Sequence, residues 1–190
     1  MASHEAPIMS VVLYTPHTLD VLARTLRHLR AQTIAKRLEL LVYAPDLARL
    51  SVDDERLQGL GLLRLLPAAN IFEARARAVD DASTPLIAYA EDHAYPASDW
   101  AAVILAAFER GYDLVAPQMD NANPATVVSW VEFLLPFSPW AAPNITREMD
   151  HLPGHNTCYR RDMLLNIPFV ERKTLLMTER VLHFRLHAAA

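Results

Sequence analysis

The sequence predicts an α/β fold in which a mainly parallel sheet carries helices on both faces. Over the first 119 of the 190 residues, five apolar runs that suit strands alternate with amphipathic or polar segments. Strands that are connected through helices are parallel, and a parallel sheet is covered on both faces. A composition of 52% hydrophobic and 21% charged residues is that of a folded domain, not of a disordered chain.

The first strand, the first helix and the second strand are the plainest of these elements. Residues 8–14 are apolar and rich in β-branched side chains, and they end at Thr15, as a buried strand that enters a loop should. In 19–32 four leucines fall on one helical stripe and the arginines fall elsewhere, which predicts an amphipathic helix. A second strand is predicted over 38–44.

The alternation of strands and helices continues to residue 119. Asn70 is the expected N-cap of one helix, and Ser98 and Gly111 are the expected beginning and end of the next. The remaining elements are a strand over 60–67, a helix over 70–83, a strand over 85–90, a helix over 98–111 and a strand over 113–119.

The C-terminal portion, from residue 120 onward, is predicted to be irregular. It is rich in aromatic residues and interrupted by prolines, so it breaks the alternation of strands and helices. We expect this portion to cover one edge of the sheet. Residues 126–135 predict a helix whose apolar surface is core, a binding cleft or a partner surface, and core packing is the simplest of the three.

Polar residues follow the predicted strands at the edge where ligands bind in such sheets. That edge lies beyond the carboxyl ends of the parallel strands. Thr15 follows the first strand and Ala44 ends the second, while the stretch "AYAEDHAYP" places Glu91, Asp92 and His93 directly after the fourth. The co-location predicts a ligand site, and a plain polar strand end is the alternative.

Several classes of protein are excluded or disfavoured by residue counts. The four glycines form neither a dinucleotide-binding nor a Walker phosphate loop, so any phosphate must be held by side chains or a metal. A net charge of -4 argues against nucleic acid as a partner. The single cysteine, Cys158, excludes a cysteine-rich zinc site and fits a reducing compartment.

The expected location is cytoplasmic. The N-terminal "MASHEAPIMS" has neither the basic beginning nor the apolar core of a signal peptide. No uncharged run reaches the ~20 residues that a membrane helix needs. A peripheral contact with a membrane stays open.

Four segments, in order along the chain, carry a resemblance to a known family. They are "MSVVLYTPH", "EARARAVDDASTPLIAYAEDHAYPASDW", "PGHNTCYRRDML" and "LLMTERVLHFRL". Together they resemble the first strand, the arginine and aspartate motifs, the glycine-asparagine loop and the base-bearing helix of family 2 glycosyltransferases. The resemblance implies the GT-A fold, which is Rossmann-like. It divides the chain into a nucleotide-sugar-binding half, 1–119, and an acceptor and catalytic-base half, 120–190.

The resemblance implies an inverting transfer of a sugar from a nucleotide-diphosphate sugar to an acceptor hydroxyl, assisted by Mn²⁺ or Mg²⁺. Glu91, Asp92 and His93 occupy the three places of the family's metal motif. His93 stands where the direct metal ligand is expected, and imidazole favours Mn²⁺ over Mg²⁺. Three alternatives stay open: His93 binds the metal, Asp92 binds it with Glu91 near the ribose, or the site has no metal.

The resemblance also assigns roles to residues elsewhere in the chain. Glu179 falls at the catalytic base, and His183, one turn later, is a candidate metal ligand. The donor would be bound by Thr15, Ala44, Arg75 and Glu91, with Arg75 on the diphosphate, and the acceptor or sugar by Asn121, His155 and Asn156.

One departure from the family's pattern supports a second hypothesis. Ala44 and Pro45 stand where the family has an aspartate pair that binds the nucleobase and ribose. The alternative is therefore a degenerate relative that binds a nucleotide, a sugar or a partner protein without turnover. A metal-dependent hydrolase built on Glu91, Asp92 and His93 is a third and weaker hypothesis.

Overall fold

A six-stranded sheet forms the centre of the protein. The computed structural model describes residues 6–51, 53–154 and 156–189. The strands are β1 (Met9–Tyr14), β2 (Leu38–Ala44), β3 (Leu62–Pro67), β4 (Leu86–Tyr89), β5 (Leu114–Val115) and β6 (Cys158–Arg160). The helices are α1 (Ala23–Arg30), α2 (Ile71–Asp81), α3 (Trp100–Glu109), α4 (Val127–Phe137), α5 (Arg161–Leu165), α6 (Phe169–Leu175) and α7 (Glu179–Ala189).

The strand order is β3-β2-β1-β4-β6-β5, and the first four of these strands are parallel. β1 lies at the centre, where Val11 pairs with Leu40 on one side and Ala88 on the other. β6 runs antiparallel to both β4 and β5. The carboxyl ends of β1, β2, β3 and β4 therefore lie along one edge, as predicted, and β6 brings the C-terminal portion beside β4.

The core lies on both faces of the sheet, because successive side chains of a strand point to opposite faces. On one face Val11 and Leu13 pack in a cluster with the leucines of α1 and with Ile104 of α3. On the other face Val12 packs in a cluster with Val79 of α2, and α5, α6 and α7 add further leucines. The prediction of a mainly parallel sheet with helices on both faces is confirmed.

The ends of two helices test the predicted caps. The Asn70 side chain accepts a 3.0 Å hydrogen bond from the Glu73 backbone N–H, so it is the N-cap of α2 as predicted. α3 begins two residues after Ser98, with Asp99 at the cap position, so the predicted Ser98 cap is wrong. Gly111 follows α3 with a φ of 98°, a conformation that glycine adopts without strain.

The predicted fifth strand is much shorter than expected. Only Leu114 and Val115 of the run 113–119 form a strand, and they pair with β6. β6 was not predicted, and it takes the place beside β4 that a longer fifth strand would have filled. β5 pairs with β6 at two positions only, Leu114 with Tyr159 and Val115 with Cys158.

The predicted helix at 126–135 is present as α4, but its packing differs from the expectation. None of its residues is buried, and Val127 and Leu135 are about four-fifths exposed, at 79% and 80%. The inner side of α4 is held by the Ser129 hydroxyl, which donates to the Asn121 side-chain oxygen at 3.1 Å. Core packing, the simplest of the three readings, is therefore wrong for this helix. Among the described helices, none is long and apolar enough to cross a bilayer.

Candidate active site

The loop after β4, residues 91–98, is hydrogen-bonded to buried side chains of α1 and of the residues just after it. The Thr25 hydroxyl is fully buried and donates to the Asp92 carbonyl at 2.8 Å, with the Ala94 carbonyl 3.1 Å away. Further along the loop, Gln32 donates to the Ala97 carbonyl at 2.6 Å. These hydrogen bonds hold the backbone of the loop, and therefore the points from which the Glu91, Asp92 and His93 side chains extend, at the ligand-binding edge.

The three polar side chains after β4 contact one another. The Nδ1 atom of His93 lies 2.7 Å from a carboxylate oxygen of Asp92, and its Nε2 atom lies 3.2 Å from one of Glu91. Both contacts are hydrogen bonds only if the imidazole carries a proton on each nitrogen. The exposed fraction rises along the triplet, from 20% for the Glu91 side chain to 44% for Asp92 and 74% for His93. Asp92 and His93 are therefore the members open to a ligand.

Arg75 of α2 joins this loop to the beginning of α7. One guanidinium nitrogen lies 3.2 Å from a carboxylate oxygen of Glu179, and the other lies 3.5 Å from one of Glu91. The first nitrogen also donates to the Leu176 carbonyl at 3.3 Å. Arg75 is only 8% exposed. The structure thus brings together Arg75 of α2, Glu91 of the loop after β4 and Glu179 of α7.

Glu179 is the first residue of α7, where the helix dipole favours a carboxylate. Its side chain lies directly over Gly154. A Cβ atom on Gly154 would overlap the Cγ, Cδ and Oε1 atoms of Glu179. The missing side chain of Gly154 therefore makes room for the candidate base.

The loop that contains Gly154 is bonded to the end of β4. The Asn156 N–H donates to the Tyr89 carbonyl at 3.0 Å, and the Tyr89 N–H donates to the Thr157 carbonyl at 3.3 Å. Asn156 has a φ of 64°, in the left-handed region that asparagine tolerates better than most residues. This backbone pairing places Asn156 beside the candidate site, and its side-chain role in acceptor binding stays a prediction.

Two buried tyrosines that sequence reasoning missed, Tyr89 and Tyr159, support Arg75 from the protein interior. The Tyr89 hydroxyl donates to the Arg75 carbonyl at 3.0 Å, and the Tyr89 ring packs edge-on against Tyr159. Burial raises the pKa of both phenols, and both therefore stay neutral. The only signals in the sequence were the tyrosines themselves, Tyr89 near the end of the predicted strand 85–90 and Tyr159 in the segment "PGHNTCYRRDML", and core packing explains both equally well.

His183 is buried and already uses both ring nitrogens within the chain. Its Nδ1 atom accepts a 3.1 Å hydrogen bond from the Leu152 N–H, so the proton lies on Nε2, which is 2.9 Å from the Tyr159 hydroxyl. Burial, together with the nearby His151, lowers the pKa of His183 to about 4. The structure does not join His183 to Asp92 or His93. A metal at either nitrogen would have to displace the hydrogen bond at that nitrogen, and the sequence-based assignment of His183 as a metal ligand stays a prediction.

The other predicted residues lie in different surroundings. Thr15 and Ala44 are fully buried at the ends of β1 and β2, and the Thr15 hydroxyl donates to the Thr18 carbonyl at 2.9 Å. The Asn121 side-chain oxygen accepts from Ser129, while its side-chain nitrogen is buried and makes no hydrogen bond. His155 lies outside the described residues.

No group of three or more His, Cys, Asp or Glu side chains that could enclose a metal ion is found in 6–51, 53–154 and 156–189. The side chains do fit a more open kind of site. Mg²⁺ and related ions in phosphate-binding sites take one or two protein ligands and complete their coordination with phosphate oxygens and water. Asp92 and His93 are exposed side chains of the right chemistry for that arrangement.

The sheet order and the layers of helices define the GT-A glycosyltransferase fold. A structure of S. aureus TarS residues 1–349 in complex with UDP has a TM-score of 0.59 at 13% identity, over 93% of this chain and 55% of that one. S. aureus TarS itself has a TM-score of 0.63 at 13% identity, over 93% of this chain and 34% of that one.

A third similar structure is the Pyrobaculum calidifontis mannosyltransferase PcManGT in complex with GDP-Man and Mn²⁺. Its TM-score is 0.55 at 16% identity, over 87% of this chain and 48% of that one. The chain therefore spans about a third to a half of the length of these structures. No protein-family model matches the sequence, and no curated protein matches it significantly.

Replacing Thr25 by valine tests the attachment of the 91–98 loop. Thr25→Val keeps the shape of the side chain but leaves buried carbonyls without their donor, so we expect a loss of about 1–3 kcal/mol in the free energy of unfolding. Urea denaturation measures this loss. Thr33→Val, at an exposed threonine just after α1, is the matched control and should change stability little. Equal effects of the two substitutions would contradict the assignment.

Replacing Gly154 by alanine tests the contact with Glu179. The added methyl group must displace the Glu179 side chain from Arg75, so Gly154→Ala should reduce the free energy of unfolding by about 1–3 kcal/mol. The same substitution in a Glu179→Ala background has nothing to displace and should cost less. Denaturation of the four proteins gives both values, and an equal cost in both backgrounds would show that the contact has no energetic effect.

The pKa of His183 predicts a pH dependence of stability. The unfolded chain takes up a proton at His183 below pH 6.5, whereas the folded chain does so only near pH 4, so acid favours the unfolded state. We expect the free energy of unfolding to fall by up to about 3 kcal/mol between these pH values. His183→Gln should remove this part of the slope, and His187→Gln, at an exposed position on the same helix, should not. Identical slopes for the two variants would be the contrary result.

Proposed function

We propose that this chain is an inverting, family 2-type glycosyltransferase that moves a hexosyl group from a nucleotide-diphosphate sugar to an acceptor hydroxyl. The single observation that carries the proposal is the cluster of Glu91, Arg75 and Glu179 at the ligand-binding edge of a GT-A fold. The cluster joins a carboxylate at the end of β4 to a carboxylate at the beginning of α7. The resemblance assigns these two places to the donor and to the catalytic base.

The donor side of the proposed site belongs to residues 1–119. Glu91 lies at the end of β4, and Thr15 and Ala44 lie at the ends of the two neighbouring strands. The structures similar to this chain include TarS bound to UDP and to UDP-GlcNAc and PcManGT bound to GDP-Man, which supports a nucleotide-diphosphate sugar as donor. Because Thr15 and Ala44 are fully buried, backbone included, their proposed part is to support this edge from within the fold and not to contact the nucleotide directly.

A divalent cation fits the proposal at Asp92 and His93. Such an ion, when bound, would neutralise the charge that grows on the departing diphosphate. PcManGT was solved with Mn²⁺, an ion that accepts both carboxylate and imidazole ligands. Glu91 is less exposed and faces Arg75, so its proposed part is to orient His93 and the donor.

The proposed reaction is a single displacement. Glu179 takes the proton of the acceptor hydroxyl, and the acceptor oxygen forms its bond to the anomeric carbon with the released electron pair. The bond between the anomeric carbon and the diphosphate oxygen breaks, and its electron pair leaves with the diphosphate. Attack opposite the leaving group inverts the anomeric configuration.

The acceptor side of the proposed site belongs to residues 120–190. Asn156 lies beside the end of β4, and the Asn121 side-chain nitrogen is a buried donor without a partner. Hydroxyl-rich ligands need such amide donors and acceptors. We propose Asn121, His155 and Asn156 as contacts for the acceptor or the transferred sugar.

A degenerate relative that binds a nucleotide, a sugar or a partner without turnover is the second candidate. His93 stands at the place of the expected direct metal ligand, and both of its nitrogens face carboxylates. Ala44 and Pro45 at the end of β2 lack the carboxylates that would contact a ribose. The two candidates differ in turnover but not in fold.

Thermal-shift and turnover measurements with UDP-GlcNAc and GDP-mannose, each with and without MnCl₂, test the proposal. A donor at a hundred times its Kd adds about 2.7 kcal/mol of stability, which raises Tm by roughly 5 to 10 °C in a chain of this length. Turnover is the release of nucleotide diphosphate with water as acceptor. We expect Asp92→Ala to abolish the Mn²⁺-dependent shift.

Glu179→Gln should keep the donor-induced thermal shift and reduce the release of nucleotide diphosphate at least about 100-fold, since the proposed base is removed and the proposed donor contacts are not. Glu109→Gln, at an exposed glutamate that ends α3, is the matched control and should behave as the unmodified protein. A shift without any turnover in the unmodified protein would favour the degenerate relative. If neither donor raises the Tm of the unmodified protein, the proposal is wrong.

A further inference from the structure

We infer that Arg75 is a positioning residue for the Glu179 carboxylate and not a ligand of the donor diphosphate. The inference rests on the proposed function and changes the role that the sequence resemblance gives to Arg75. It follows from where the guanidinium lies and from what already occupies its hydrogen-bonding positions.

The guanidinium of Arg75 is committed to groups of the chain itself. One terminal nitrogen contacts both the Glu179 carboxylate, at 3.2 Å, and the Leu176 carbonyl, at 3.3 Å. The other terminal nitrogen faces Glu91 at 3.5 Å. The guanidinium carbon lies 5.8 Å from the centre of the Tyr89 ring, within the range of a cation–π contact. A phosphate ligand would have to displace a carboxylate from a residue that is only 8% exposed.

The charges around Arg75 explain why it must stay in place. Two carboxylates, Glu91 and Glu179, share one buried cation, so the cluster carries a net negative charge even with Arg75 present. If Arg75 is removed, the two carboxylates lose the cation that they share, and Glu91 keeps its contact with His93 while Glu179 has no ion-pair partner in a partly buried site, which is unfavourable. The Glu179 carboxylate would then have lost its ion pair, the contact that joins it to α2.

Arg75 also couples the two sides of the proposed site. Glu91 belongs to the loop that carries Asp92 and His93, and Glu179 belongs to the acceptor side. A guanidinium is a rigid fork, so a shift of one carboxylate changes the best position for the other. The base is thereby placed relative to the end of β4 and not merely relative to its own helix.

A double-mutant cycle on the ligand-free protein tests the arrangement without any donor. Glu179→Gln should lower Tm in the unmodified protein, because it removes the partner of a buried cation. In an Arg75→Met background the same substitution should raise Tm, because it removes a partly buried carboxylate that has lost its ion-pair partner. Additive shifts in Tm would overturn the inference. If Arg75→Met does not fold, Arg75→Lys replaces it in the cycle, and the effect of Glu179→Gln should then be smaller than in the unmodified protein.

Donor binding and turnover distinguish positioning from phosphate binding. With UDP-GlcNAc and GDP-mannose as probes and MnCl₂ present, Arg75→Met should keep Kd for the bound donor within about 3-fold and reduce the turnover of bound donor at least about 100-fold. Arg75→Lys keeps the charge but not the fork and should recover part of the turnover. Arg77→Met removes an exposed arginine of the same helix, paired with Glu73 at 2.7 Å, and is the matched control. It should change neither quantity.

The results separate failure of this inference from failure of the proposed function. A Kd that rises more than about 10-fold in Arg75→Met, with the unmodified protein active, would show that Arg75 binds the diphosphate and would overturn the inference alone. If the unmodified protein neither binds nor turns over either donor, the proposed function and the catalytic part of the inference both fall. A sign change in the cycle, with unchanged Kd and lost turnover in Arg75→Met, would establish it.

Discussion

The ion pairs of Arg75 with Glu91 and Glu179 are the interaction on which the candidate site depends. They connect α2, the loop after β4 and the beginning of α7, which lie on one face of the sheet and at its ligand-binding edge. Among the ion pairs of the described residues, no other side chain contacts both carboxylates. A buried cation that is shared in this way costs desolvation free energy, so its value lies less in stability than in fixing the geometry of the carboxylates.

The rest of the site can be understood as support for this cluster. Thr25 of α1 holds the loop that carries Glu91, and Gly154 leaves room for the Glu179 side chain. The Tyr89 hydroxyl bonds the backbone of Arg75 itself. Each of these supports comes from a different part of the chain, and each acts on the backbone or side chain of a neighbouring segment. The site is therefore rigid because the sheet and both helical layers contribute to it, and not because of any single loop.

The sequence predicted the parts of the structure that depend on local periodicity. The alternation of strands and helices, the ligand-binding edge and the Asn70 cap all follow from patterns over a few residues. β6 was missed because a strand of three residues is too short to show a periodic pattern. The packing of α4 was predicted wrongly because an apolar stripe does not reveal whether any part of the chain packs against it. The triplet after β4 was located correctly at the strand end, but Glu179, the second carboxylate partner of Arg75, lies 104 residues away along the chain. His183 shares a helical face with Glu179, yet the sequence could not reveal that this part of the face packs against Tyr159.

Gly154 has a consequence for how this chain can vary. Any single-base change of a glycine codon that alters the amino acid introduces a Cβ atom, and at this position the atom would occupy the space of the Glu179 carboxylate. Gly111, by contrast, has open space around it, and only its backbone conformation restricts substitution. In directed evolution, the two glycines would therefore behave as different kinds of position. A side chain at Gly154 would displace Glu179 from Arg75 unless the residue at 179 had already changed, so the order in which the two positions vary decides what each change costs.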